Sequence, residues 1–126
     1  FLPFLNAQEY QGLCATSQVY LDTPVNSGLL STIEAIETGI VPVTMPFEFM
    51  RSRQTAVLLE KMGVTETIAE NLDQYIEIAI ELAKNLDKRE ELKARILENK
   101  EMLYRQTAVQ KALLENLQSL LKNKLD

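Results

Sequence analysis

Residues 19–46 read VYLDTPVNSGLLSTIEAIETGIVPVTMP and contain two short apolar runs on either side of a segment with helical composition. The runs, residues 19–21 and 41–45, lack polar alternation, a pattern typical of strands that are covered on both faces in a parallel sheet. Residues 28–37 lie between them and predict a helix. The stretch therefore predicts a strand–helix–strand unit of an α/β protein.

The flanking sequence extends this pattern in both directions. Residues 1–5 are apolar and residues 7–15 have helical composition, so we expect a further strand and helix before the central unit. Together these elements predict a Rossmann-like parallel sheet. Beyond it the sequence is helical over residues 51–62, 72–86, 88–100 and 103–124, with Asn71 in position to cap the second of these helices.

The last predicted helix differs from the others in its exposed apolar pattern. We expect residues 1–102 to form the Rossmann-like half-domain and residues 103–126 to form an amphipathic docking helix. One side of that helix carries Val109, Leu113, Leu117 and Leu120. Three full heptads are not sustained, which favours a docking helix over a coiled coil. If the domain on which this helix docks is absent, the apolar stripe is exposed, and we expect the chain to dimerise through it.

Composition limits the possible functions. The 126 residues suffice for one domain, and with no His and only Cys14 the chain offers no metal site, disulfide or Cys–His pair. Residues 1–50 contain no Lys or Arg and the net charge is −5, which disfavours nucleic acid as a partner. No apolar run approaches membrane-spanning length and no signal peptide is evident, so we expect a cytoplasmic protein away from membranes. Since residue 1 is Phe, we expect a piece of a longer chain.

The turn before the central helix is the candidate binding site. Ligands in parallel α/β sheets bind at the carboxyl ends of strands, where a helix amino end favours an anion. Gly28 permits close approach of a ligand, and Ser27 and Ser31 add small polar groups. Glu34 could accept hydrogen bonds from a ribose diol. Three plainer interpretations stay open at this point: a simple connecting turn, a solvated Glu34, and Tyr10 and Tyr20 as core aromatics.

Several of these pieces occur together in one known family. The order and spacing of LDTP at residues 21–24, the Gly28 to Glu34 turn and helix, VTMP at residues 43–46 and the helix around Tyr75 resemble the C-terminal, donor-binding domain of the O-linked N-acetylglucosamine transferase (SPINDLY-type) family. The resemblance covers nearly the whole chain. It implies the GT-B architecture of two Rossmann domains, of which this chain corresponds to the second.

The resemblance implies a function and a set of contacts. Members transfer a sugar from a UDP-sugar to Ser or Thr hydroxyls of proteins, commonly with tetratricopeptide repeats before the catalytic region. By this resemblance the UDP-sugar is the donor substrate and no other cofactor is required. Glu34 would hold the ribose, Tyr10 would lie against the uracil and the Leu5 backbone would contact the base. The diphosphate would face the turn and the helix amino end, at Ser27, Gly28, Leu29, Leu30 and Ser31.

Departures from the family pattern predict a weakened donor site. Where members commonly carry His-Thr-Thr, this chain has Leu29, Leu30 and Ser31, and Ala7 replaces a lysine. Compensating charge would have to come from the helix terminus, from Arg51 or Arg53, or from the absent N-terminal GT-B domain. We assign no catalytic base, and we expect the isolated chain to bind UDP weakly and to catalyse nothing.

Two other functions remain open from the sequence. The first is a non-catalytic protein-interaction module derived from a degenerate transferase half, which Leu29 and Leu30 favour and which Glu34, Tyr10 and Gly28 disfavour. The second is half of another nucleotide-sugar enzyme such as an epimerase, which explains LDTP and VTMP less well.

Overall fold

The computed structural model of the chain describes residues 2–104 and 107–122. Its helices and strands are, in chain order, α1 (Ala7–Thr16), β1 (Val19–Leu21), α2 (Leu30–Glu37), β2 (Val41–Val43), α3 (Gln54–Lys61), α4 (Leu72–Lys84), α5 (Leu86–Asn99) and α6 (Thr107–Lys122). Short 3-10 helices occupy Met50–Ser52 and Lys100–Leu103. Within this part of the chain, no helix is long and apolar enough to cross a membrane.

The sheet is parallel, as the apolar runs predict. β1 pairs with β2 in the register Val19 to Val41, Tyr20 to Pro42 and Leu21 to Val43. Directly after β2, Thr44 forms an isolated parallel bridge with Ile68, which belongs to neither strand. Since α2 is the crossover between two parallel strands, the predicted strand–helix–strand unit and the α/β fold class are confirmed.

The strand that the sequence predicts over residues 1–5 is not found in residues 2–5, which form no regular structure. Phe4 is 97% exposed and Leu2 is 65% exposed, whereas a strand of a covered sheet would bury such side chains. Pro3 also lacks the N–H group that pairing requires. Apolar composition alone does not distinguish a strand from an extended segment that leads into a helix. The segment ends at Asn6, which caps α1 in a reciprocal pair with Glu9.

The helices pack on the sheet through one main core. This core combines buried residues from the crossover helix, the second strand, the later helices and the segment after α3, namely Ile36, Val41, Val43, Leu58, Leu59, Met62, Val64, Leu82, Leu92, Ile96 and Leu103. A smaller cluster lies between α1 and α2, with Cys14, Ala35 and Ile40 buried and Tyr10 and Tyr20 packed against them. Asn71 caps α4 as predicted, because its side chain accepts a hydrogen bond from Gln74 N.

The last helix begins later than its pattern predicts. Leu103 is buried in the main core at the end of a 3-10 helix, and Tyr104 donates a hydrogen bond to Glu37 on α2. The regular helix starts at Thr107, and the side chains of residues 107–121 are exposed. Val109, Leu113, Leu117 and Leu120 are each about half exposed or more, at 49–62%. The predicted docking role of this helix stays a prediction.

Candidate functional site

The turn between β1 and α2 is organised around the buried carboxylate of Asp22. This side chain is 1% exposed. One carboxylate oxygen accepts a hydrogen bond from Gly28 N at 3.0 Å, and the other accepts one from Thr44 Oγ1 at 2.7 Å. The Asp22 carbonyl accepts a further bond from Tyr75 of α4 at 2.9 Å. Asp22 thereby ties the carboxyl ends of both strands to the turn.

Three buried hydroxyl groups hold the other side of the turn. Ser27 Oγ donates to Thr55 Oγ1 at 2.8 Å and accepts from Thr55 N at 3.0 Å. Thr55 Oγ1 lies 3.0 Å from Thr32 Oγ1 and donates to the Gly28 carbonyl at 3.3 Å. Thr32 Oγ1 also donates to that carbonyl. Ser27 is one of the residues predicted to contact the UDP-sugar, but its hydroxyl is already hydrogen-bonded to Thr55.

Gly28 is required at this turn because there is no space for a side chain. A Cβ there would overlap Ser31 Oγ and would lie 3.2 Å from Tyr20 OH and 3.4 Å from Thr32 Oγ1. Its N–H is bonded to Asp22, so it is not available to a ligand in this conformation. The glycine therefore permits close packing of β1 against the first turn of α2.

The amino end of α2 is the part of the site with unused donors. No side chain among the described residues caps it, and its N-cap position is Leu29. The first helical bond runs from Ile33 N to Leu29 O at 3.0 Å. The N–H groups of the preceding helical residues, including Leu30 and Ser31, have no partner within the helix. Such groups, together with the helix dipole, attract an anion.

Tyr10 is joined directly to this helix end. Its hydroxyl donates to the Ser31 carbonyl at 3.1 Å, and Ser31 Oγ lies 3.3 Å from Tyr20 OH. Burial in the small cluster raises the pKa of the Tyr10 phenol. The structure thus brings Tyr10, Ser27, Gly28 and Ser31 into one hydrogen-bonded unit.

The remaining predicted site residues lie at the edge of this unit. Leu29 is 42% exposed and Leu30 is 74% exposed, so two apolar side chains flank the unused donors. Glu34 is exposed and lies one turn after Ser31 on α2, while Leu5 is half-buried in the segment before α1. Leu29 and Leu30 offer no polar side-chain atom to a ligand at this end of α2.

Two arginines lie close to the turn. The carbonyl of Arg51 accepts a hydrogen bond from Ser27 N at 3.0 Å, and its guanidinium lies 4.8 Å from the centre of the Phe49 ring. Arg53 and Leu29 line the same open groove of about 660 Å³. Since residues 1–50 contain no basic residue, Arg51 and Arg53 are the first basic residues in the sequence.

Sequence reasoning missed Asp22 and Thr55 as organisers of the site. Asp22 had a recognisable signal, since it directly follows a strand at its carboxyl end. Thr55 had none, because its role depends on contacts with residues 23 to 28 positions away.

Comparison with known proteins gives consistent results. The model of glycosyl transferase family 41 matches residues 8–110. The UDP-N-acetylglucosamine–peptide N-acetylglucosaminyltransferase of Caenorhabditis elegans is 32% identical over 80 residues, which is 64% of this chain and 7% of that protein. A probable enzyme of the same name, SPINDLY, from Petunia hybrida is 32% identical over 68 residues, 54% of this chain and 7% of that protein.

A solved structure agrees with these matches. A mutant of the Thermobaculum terrenum O-GlcNAc transferase superposes with a TM-score of 0.76 and 25% identity, over 91% of this chain and 22% of that one. The chain therefore spans less than a tenth of the two curated relatives described above and about a fifth of the matched structure.

Proposed function

The chain belongs to glycosyl transferase family 41, and from this premise we propose that it supplies the donor-binding part of an enzyme that transfers a sugar from a UDP-sugar to protein Ser or Thr hydroxyls. The observation that carries the proposal is the uncapped amino end of α2 beside Tyr10 and Glu34. The proposal is supported by the names of two relatives, which describe enzymes that act on UDP-N-acetylglucosamine and peptide.

The proposed contacts follow the geometry of α2. The diphosphate is placed at the first turn, near the N–H groups of Leu30 and Ser31. Glu34, one turn further, is placed against the ribose hydroxyls, and Tyr10 against the base. The bond from Tyr10 to the Ser31 carbonyl supports this arrangement, because it keeps the proposed base contact next to the proposed phosphate contact.

Charge neutralisation is proposed to come from α2, Arg51 and Arg53. The backbone carbonyl of Arg51 accepts a hydrogen bond from Ser27 N, and Arg53 lines a groove together with Leu29. The Arg51 guanidinium lies over Phe49 and would have to turn toward the diphosphate. Each charge-assisted hydrogen bond that Leu29, Leu30 and Ala7 cannot make costs the site about 1.5–3 kcal/mol. We therefore propose weak UDP binding by the chain alone, with acceptor-side and catalytic groups supplied by a preceding domain.

The first experiment is an NMR titration of the ¹⁵N-labelled chain with UDP, in EDTA because no metal ion belongs to the proposal. Saturable shifts should centre on residues 28–34, and Glu34→Ala should weaken them. Glu77→Ala, which removes an exposed glutamate from α4, is the matched control and should leave the binding curve unchanged. A folded spectrum that does not move at millimolar UDP would contradict donor binding by this chain.

That negative result would instead favour a non-catalytic interaction module. The observation behind this alternative is the exposed apolar side chains of Leu29 and Leu30, of which Leu29 lines a groove together with Met50 and Val57.

A second experiment tests catalysis by the chain alone. The unmodified chain, incubated with UDP-N-acetylglucosamine and a Ser/Thr peptide, should show no sugar transfer by mass spectrometry. Multiple turnovers by the chain alone would refute the proposal that a preceding domain is required.

A further inference from the structure

We propose that Thr55, on α3, is a positioning residue for the donor site. Its hydroxyl fixes the Ser27–Gly28 turn and the first turn of α2, and so determines where the unused N–H groups of Leu30 and Ser31 lie. Thr55 itself touches no ligand in this proposal. The inference rests on the proposed function for the identity of the ligand. The ordering of the turn by Thr55 is tested without a ligand.

The contacts of Thr55 converge on the turn from α3. Thr55 is fully buried, and both its backbone N–H and its hydroxyl bond to Ser27, at 3.0 and 2.8 Å. The hydroxyl also reaches Thr32 in the first turn of α2 and the carbonyl of Gly28. A single side chain from a separate helix thus contacts the turn and the helix that follows it.

The Thr55 hydroxyl is needed because it accepts the hydrogen bond that the buried Ser27 hydroxyl donates. Ser27 donates its proton to Thr55, and Thr32 donates its proton to the Gly28 carbonyl. The Thr55 proton is then free to go to the Gly28 carbonyl or to Thr32. A valine at position 55 would fill the same volume but would leave the buried Ser27 hydroxyl without this acceptor. Buried hydroxyls that lose a partner favour rearrangement of the segment that carries them.

Both backbone polar groups of Gly28 are hydrogen-bonded, and Thr55 binds one of them. Asp22 binds the N–H of Gly28, while Thr55 and Thr32 bind its carbonyl. Without the Thr55 hydroxyl, the bond from Thr55 N–H to Ser27 remains, but the hydroxyl's bonds to Ser27, Thr32 and the Gly28 carbonyl are lost. The turn is then held less firmly, and part of its ordering must occur when the ligand binds. Ordering that is not built into the free protein reduces affinity.

The test compares Thr55→Val with Thr55→Ser, which keeps the hydroxyl. We expect Thr55→Val to raise the Kd for UDP about tenfold, the effect of one lost hydrogen bond, and Thr55→Ser to stay within about twofold of the unmodified chain. Without UDP, Thr55→Val should shift the amide resonances of residues 27–31 and speed hydrogen exchange at Gly28 and Ile33. Thr67→Val is the control, because Thr67 is equally buried and its hydroxyl has no partner among the described residues.

The outcomes separate this inference from the proposed function. If the unmodified chain binds UDP and Thr55→Val binds equally well, the positioning role is refuted while donor binding stands. If the unmodified chain does not bind UDP, donor binding fails, and the amide shifts and exchange rates still decide whether Thr55 orders the turn. Should Thr55→Val not fold, Ser27→Ala removes the bond between the two hydroxyls from the other side, together with the acceptor of Thr55 N–H. An unchanged spectrum of residues 28–31 and unchanged UDP binding in that variant would overturn the inference.

Discussion

At the scale of single residues, position 28 has a steric requirement that can be tested with an alanine. In Gly28→Ala the new methyl group would force Ser31 away from its hydrogen-bonding position beside Tyr20. We expect a loss of about 1–3 kcal/mol in the free energy of unfolding, measured by urea denaturation.

Gly12 provides the matched control for this substitution. It lies inside α1, and a Cβ there would meet nothing within 4 Å. Gly12→Ala should stabilise the protein by roughly 0.5–1 kcal/mol, because alanine favours the helix and restricts the unfolded chain. If both substitutions changed the free energy of unfolding equally, the packing around Gly28 would not explain the effect of Gly28→Ala.

Sequence patterns predict some site residues and necessarily miss others. The small residues of the turn and Ser31 follow from local chain order, since a strand, a turn and a helix end place them together. Asp22 and Thr55 act on partners 22 and 28 residues away, through Thr44 and Ser27. Their partners are set by tertiary packing, which no local pattern encodes.

At the scale of elements, the sequence predicts the helices well and their ends less well. The Asn71 cap of α4 is a local signal, and it is confirmed. The start of α6 is not a local signal, because Leu103 is withdrawn into the main core before the helix begins. The predicted strand over residues 1–5 fails over residues 2–5 for a related reason, since pairing depends on a neighbour and not on composition.

A contact between elements predicts a dependence of stability on pH. Lys100 and Tyr104 both donate hydrogen bonds to the Glu37 carboxylate, each at 2.5 Å. The bond from Lys100, with that from Tyr104, lowers the pKa of Glu37 below its ordinary value of 4.5. The same carboxylate raises the pKa of Tyr104 to about 12. The stabilisation is therefore present above pH 4.5 and is lost as the pH falls through the lowered pKa of Glu37.

Glu37→Gln tests this dependence. Thermal unfolding of both proteins between pH 7 and 3 should show a smaller loss of stability in the variant, by less than about 1 kcal/mol because solvent screens the pair. The Glu66–Arg95 contact titrates in both proteins and cancels in the comparison. Parallel curves over the whole range would show that the Glu37 contact does not stabilise the fold.

At the scale of the whole molecule, the exposed stripe of α6 predicts self-association. We expect the sedimentation coefficient to rise with concentration, because Leu113, Leu117 and Leu120 are open to solvent. Leu113→Glu combined with Leu117→Glu should hold the chain as a monomer at every concentration. Gln110→Glu combined with Gln118→Glu adds the same charge to α6 without removing a leucine and should leave association largely intact. A sedimentation coefficient that does not depend on concentration would contradict this expectation.

The contact of Glu37 with Lys100 and Tyr104 also has a consequence for the order of folding. It joins positions 63 and 67 residues apart, whereas Val19 and Val41 pair across 22 residues. Closing the longer loop costs about 1 kcal/mol more chain entropy by the logarithmic dependence on length. During synthesis, Glu37 also leaves the ribosome long before its partners do. We therefore expect the strand pair to form first, and the segment from Lys100 to Tyr104 to dock on α2 only after β1, α2 and β2 have folded.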